Sequence, residues 1–126
     1  MRNVEIAEAL FAAFACGDVD AARALCAPDM QAIQNHGPAM TIDSLLEFSS
    51  AVTNVVQNFR YEDVVRSQTE GGFVEEHSVR GQLPDGSELK LAACVVADIK
   101  HGKITSLREY LDASAATGLL KALSER

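Results

Sequence analysis

Between Ser87 and Ile99 the chain alternates in a way that only a β-strand accommodates. Strand side chains point to opposite faces with a period of two, so Leu89, Leu91, Ala93, Val95, Ala97 and Ile99 share one face. Glu88, Lys90 and Asp98 hold the ends of the other face, and Ala92, Cys94 and Val96 make its middle apolar as well. A strand of this kind needs paired neighbours and a cover over its first face. Turn chemistry supplies the neighbours: Pro84-Asp85-Gly86 and His101-Gly102 bracket the strand, and Gly71-Gly72 marks a further turn upstream. The stretch from Phe73 to Asp112 therefore reads as three successive strands. Tyr61 to Glu70 adds a fourth, giving an antiparallel meander.

The cover comes from the N-terminal half. Asn3 is placed to cap a helix whose apolar residues Ile6, Leu10, Phe11 and Phe14 recur at three- and four-residue spacing, with Gly17 at its end. Asp18 or Asp20 caps a short second helix that stops before Pro28. Met30 to His36 reads as a strand bounded by Gly37-Pro38. Thr41 caps a longer helix with the stripe Ile42, Leu45, Leu46, Val52, Val55, Val56 and Phe59. Asp112 caps a last helix that packs Leu119, Leu120 and Leu123 inward. At 126 residues the expectation is one domain over 1–126, with enough chain to bury a core.

Two helices, a strand, a helix, a four-stranded meander and a helix, in that order, resemble the SnoaL-like branch of the nuclear-transport-factor-two-like superfamily. The segments FAAFACGDVDAARALCAPD, GGFVEEHSVRG, LPDGSELKL and HGKITSLREYLD carry the resemblance, which covers nearly the whole chain. It implies an α+β cone in which a curved antiparallel sheet wraps around helices and encloses an internal cavity. The superfamily holds polyketide cyclases, ketosteroid isomerases, epoxide hydrolases, dehydratases and non-catalytic modules, so the fold leaves the activity open.

Strand parity names the residues expected in that cavity. With Leu89, Leu91, Ala93 and Val95 inward, one neighbouring strand turns Phe73, Glu75, His77 and Val79 inward, and the other Thr105, Leu107, Glu109 and Leu111. His77 and Glu109 are the chemically notable pair, on strands about 9 to 10 Å apart at the backbone, with room for a small substrate between. A buried carboxyl and a cavity histidine suit acid and base roles. Glu75 is expected nearer the sheet end and solvated. Phe14, Asn35, Phe73, Val79 and Val95 are the expected ligand-contacting residues. The resemblance to the epoxide hydrolases places their pocket arginine at His77, their first aspartate at Val79 and their second at Glu109. The resemblance to the isomerases places their base at Asn35 and their oxyanion tyrosine at Phe14. Neither catalytic set is complete here, and a cyclase-like mechanism fits best.

Composition narrows the remaining choices. A net charge of −7 and the lack of any basic cluster disfavour nucleic acid, which demands a basic face. The first residues lack the apolar run of a signal peptide or membrane span, so a cytoplasmic protein is expected. Cys16, Cys26 and Cys94 form no paired motif and read as reduced, buried thiols. His36, His77 and His101 are not spaced as metal ligands, and no nucleotide loop or nucleophile elbow occurs, so no metal and no cofactor are expected. Two functions stand side by side. One is a cyclase or isomerase acting on a small, mostly apolar carbonyl compound, with Glu109 as base and His77 as acid or orienting partner. The other is a non-catalytic ligand-binding or assembly module. The apolar centre of the outer face, Ala92, Cys94 and Val96, predicts a homodimer through the sheet.

Overall fold

Six strands form one mixed sheet in the order β2-β1-β6-β5-β4-β3, and four helices complete the chain in a computed structural model that describes residues 1–126. Helices α1 (Asn3–Cys16) and α2 (Val19–Ala24) lead into β1 (Cys26–Gln34) and the two-residue β2 (Met40–Thr41). Helix α3 (Ile42–Val55) then precedes the meander β3 (Gln57–Gln68), β4 (Gly72–Gln82), β5 (Glu88–Lys100) and β6 (Lys103–Leu111). A 3₁₀ turn (Ala113–Ala116) and helix α4 (Thr117–Ser124) close the chain. The antiparallel meander is as expected, and β1 extends it by pairing with β6 in parallel. The fold is α+β, with the helices gathered on the concave face.

Local chemistry explains most boundaries. Gly17 ends α1 in the left-handed conformation at φ 73°, where glycine meets no Cβ penalty. Asp18 caps α2 by accepting from the Ala21 N–H, and Thr41 caps α3 by accepting from the Ser44 N–H. Residue 3 is already helical. Arg2 holds the cap position, with its backbone N–H donating to the Glu5 carboxylate at 2.9 Å. Asp112 caps the 3₁₀ turn, and α4 begins only afterwards at Thr117. Gly72 is required by close approach, since a Cβ there would lie 1.8 Å from the Ala97 carbonyl oxygen.

The core forms on the inner face. Ile6, Leu10 and Phe11 of α1 pack with Phe73, Val95, Ala97, Ile104 and Leu107 of the sheet. A second cluster joins Val52 and Val56 to Val79, Leu89, Leu91 and Leu119. Burial of these side chains contributes on the order of 1.5–3 kcal/mol apiece, the main force curving the sheet around the helices.

Several expectations are corrected. Helix α3 ends at Val55, and Phe59 lies on β3, although its spacing continues the helical stripe. Leu120 is 56 % exposed, so α4 buries Leu119 but not its neighbour. Thr105 is the extra residue of a β-bulge: Asp98 pairs with Ser106 but Ile99 with Ile104, and the fully buried side chain is Ile104. Cys16 is exposed, Cys26 buried and Cys94 half-buried, all three as free thiols.

Strand β3 carries two bulges, each at a residue with positive φ, Asn58 at 55° and Asp63 at 55°. The second bulge changes the parity of the strand. Tyr61 opposes inward-facing Val79, and five residues later Arg66 opposes inward-facing Glu75. In a regular strand two residues five apart lie on opposite faces, so the bulge is what lets both point inward.

Candidate functional site

A cavity of about 310 Å³ lies between the inner sheet face, α1, α3 and the C-terminal segment. Nineteen of its 23 lining residues are hydrophobic, leaving Gln34, Asn35, Ser49 and Glu109 as the polar exceptions, with the Tyr61 phenol counted among the apolar wall. The space suits a small molecule with an apolar body and few polar groups.

Glu109 is the cavity's one carboxyl group. It reaches the inner face because β6 resumes regular alternation after the Thr105 bulge, with Val95 on one side and Gln34 of β1 on the other. The Gln34 side-chain amide donates to Glu109 Oε1 at 2.8 Å. Burial pushes this carboxyl above the ordinary carboxylate value, and the Gln34 hydrogen bond pulls partly against it. A group so placed moves a proton more readily near neutrality than an exposed glutamate does.

Asn35, the adjoining polar residue, has φ 47° and spends its amide on the backbone of β6. Its side chain donates to the Leu111 carbonyl at 3.1 Å and accepts from the Leu111 N–H at 2.9 Å. It therefore closes the end of the β1–β6 pair while lining the cavity.

Tyr61 lines the cavity from β3. Its ring is fixed by Phe11 and Phe59, both with centroids at 5.3 Å, and by His77 at 4.5 Å. Burial raises the phenol well above its ordinary value, and the carboxylates of Glu109 and Glu75 add to the shift. Tyr61 thus keeps its hydroxyl proton.

The remaining polar residues form a buried chain behind this wall. Arg66 Nε donates to Glu75 Oε1 at 2.6 Å, and His77 Nδ1 lies 2.6 Å from Glu75 Oε2. Glu75 and His77 are sealed at 0 % side-chain exposure, while Arg66 retains 22 %. The expectation of a solvated Glu75 is overturned, because the Asp63 bulge brings Arg66 across from β3 to neutralise it.

Of the residues singled out from sequence, Phe14, Asn35, Val79, Val95 and Glu109 line the cavity. Phe73 does not; it is fully buried in the core beneath α1. His77 does not line the cavity either. Phe11 and Tyr61, which do line it, pack against its ring, and its direct partner is Glu75 rather than Glu109. Sequence reasoning missed Tyr61, Gln34, Glu75 and Arg66 as members of the site. The one signal for Arg66 and Tyr61 was a strand whose alternation breaks at Asp63. No three His, Cys, Asp or Glu side chains converge as a metal-ligand set.

A curved sheet closed by helices around an apolar cavity defines the cone-shaped α+β proteins of nuclear-transport-factor-two-like fold. Within that class the chain belongs to the SnoaL-like family, whose domain model matches residues 7–107. A candidate polyketide cyclase from Pseudomonas putida superposes with a TM-score of 0.80 at 25% identity, over 91% of this chain and 95% of that one. A protein of ketosteroid isomerase-like fold from Catenulispora acidiphila, crystallised with trimethylamine, gives 0.78 at 19% identity, over 94% and 95%. A nuclear-transport-factor-two-like protein from Burkholderia xenovorans gives 0.73 at 22% identity, over 96% and 95%. No curated protein sequence matches the chain. No helix is long and apolar enough to cross a membrane.

Proposed function

We propose that the protein is a SnoaL-like acid–base catalyst acting on a small, mostly apolar carbonyl compound held in the cone cavity. One observation carries this reading: a single carboxyl group, Glu109, stands in a mostly apolar enclosure that raises its proton affinity. Glu109 takes a proton from carbon adjacent to the carbonyl and returns it after rearrangement or ring closure. Tyr61 donates a hydrogen bond to the carbonyl oxygen, where negative charge develops as that proton leaves. The aromatic and aliphatic wall excludes water, which strengthens both interactions.

The Gln34 hydrogen bond to Glu109 favours a second reading, a non-catalytic binding module whose polar groups are paired off. A thermal-shift screen of small cyclic ketones and aromatic carbonyl compounds separates the two, because a ligand that binds only the folded state raises Tm. The enzyme reading expects hits that are turned over by the wild type and not by Glu109→Gln. Hits that bind equally to both and are never converted assign the module.

We also propose that the protein works as a homodimer through the outer sheet face. Ala92, Cys94 and Val96 form a small-residue centre on β5, with Arg80 and Arg108 tied to Glu88 and Asp98 at its edges. A two-fold pairing would bring the same patch of both copies together.

A further inference from the structure

The Nε2 atom of His77 is the one buried side-chain nitrogen or oxygen in the chain without a hydrogen-bond partner in the protein. Its other nitrogen is fully committed. Nδ1 lies 2.6 Å from a Glu75 carboxylate whose second oxygen is held by Arg66 at 2.6 Å. A carboxylate facing Nδ1 requires a hydrogen there, so in the neutral imidazole the lone pair sits on Nε2. The Arg66–Glu75 pair thus does more than offset charge. It selects the tautomer and presents His77 as an acceptor, where the sequence suggested an acid or an orienting partner for Glu109.

The imidazole packs against a layer of rings that itself lines the cavity. Phe11 and Tyr61 both line the cavity, and both contact the imidazole, with centroids at 4.9 and 4.5 Å. Tyr61 is fixed in the sheet. Phe11 belongs to α1 and is held by ring contacts with Phe14, Tyr61, Phe73 and His77. Rotation of Phe11, or a small shift of α1, opens the layer without breaking any strand pairing.

We propose that His77 Nε2 is a second polar anchor of the cavity, uncovered when Phe11 is displaced, and that the ligand is an apolar molecule bearing a hydroxyl donor, such as a phenol or an enol. The proposal rests on the cavity being a ligand site, and it adds a hydroxyl to the carbonyl chemistry assigned to Glu109 and Tyr61. The donor's proton stays on the ligand oxygen and is shared with Nε2, so no covalent step is involved. A ligand with a carbonyl but no donor leaves Nε2 unsatisfied and Phe11 in place.

The test compares 2-naphthol with 2-methylnaphthalene, two probes of nearly the same shape of which only the first has an O–H. Fluorescence titration at neutral pH should show 2-naphthol binding about tenfold tighter to the wild-type protein, the worth of one well-placed hydrogen bond. His77→Phe should bring the two affinities together by weakening 2-naphthol alone, and Phe11→Leu should keep the preference. Turnover is scored separately, on the carbonyl compounds, so loss of the catalytic reading and loss of this one give different results. The long-range proton–nitrogen spectrum provides a readout that does not depend on any variant folding. In the free protein His77 Nε2 should give the signal of an unprotonated ring nitrogen, moving upfield with 2-naphthol and staying still with 2-methylnaphthalene. The proposal is overturned by a wild type that shows no preference or binds neither probe. A preference that survives His77→Phe, or an Nε2 that carries the proton in the free protein, also overturns it.

Discussion

Glu75 and Glu109 occupy one row of the sheet, each directly opposite Val95 from its two sides. Their backbones are therefore about two strand spacings, or roughly 9.5 Å, apart on the same face. Their surroundings differ in kind. Glu75 is sealed and neutralised by Arg66, whereas Glu109 opens onto the cavity with only the neutral Gln34 amide bonded to it. Two identical side chains in one row are thereby divided into one held by a cation and one that faces the cavity, and the following expectations come from that division.

Glu109→Gln should reduce turnover of any substrate found by roughly 10²–10⁴-fold, the usual contribution of a general acid or base. Stability should change in the opposite sense. The folded-state value of Glu109 is raised, so its carboxyl costs nothing below the ordinary value of 4.5 and destabilises progressively as pH rises through the folded value. Glutamine still accepts from Gln34 and cannot ionise. The variant's Tm should therefore exceed the wild type's at pH 7 and converge with it near pH 4; an equal offset at both would remove Glu109 from the titration.

Tyr61→Phe should keep the three ring contacts and hence nearly the full stability, while losing the hydroxyl. If that hydroxyl stabilises charge on the substrate oxygen, kcat falls by roughly 10²–10³-fold with little change in KM. A change confined to KM would reduce Tyr61 to a binding contact.

Glu75→Ala should destabilise the fold by about 3–5 kcal/mol, because it leaves Arg66 and His77 facing a dry interior. Urea unfolding measures this directly. Replacing the pair together, Arg66→Met with Glu75→Leu, should recover the share due to the unpaired Arg66 charge but not the share due to His77 Nδ1, which still lacks its partner. If the double variant is as unstable as Glu75→Ala, packing rather than charge explains the site.

The dimer proposal predicts twice the chain mass by light scattering at micromolar concentration. Val96→Glu, which sets a charge at the middle of the patch in both copies, should halve it. A wild-type protein that scatters as a single chain removes the proposal.

What could be read from the residues tracks where the period of two holds. β5 and most of β4 alternate without interruption, and Leu89 to Ala97 and Phe73 to Val79 face as their spacing requires. β3 was legible as a strand but not as a set of faces, because Asn58 and Asp63 each insert a residue that composition does not announce. Phe59 could equally continue the stripe of α3, since positions 52, 55, 56 and 59 fit a helix as well as they fit a helix followed by a strand. The cavity's carboxyl was identified from parity on β6. The burial of Glu75 was not, since it depends on a cation from a strand whose register the sequence left ambiguous.

The Asp63 bulge makes a single backbone angle a control on chemistry. Its φ of 55° is one that a β-branched side chain resists, and a β3 of unchanged length that straightened there would slip by one residue against β4. Everything beyond would turn over, with Arg66 passing to the outer face and exposed Val65 swinging towards the acid it left behind. A relative of the same strand length but without the bulge should therefore carry an apolar or amide side chain in place of Glu75, and with it an imidazole free to adopt the opposite tautomer. A relative shortened by the one extra residue should instead keep the Arg–Glu pair, since its two inward positions would then lie four residues apart on both strands.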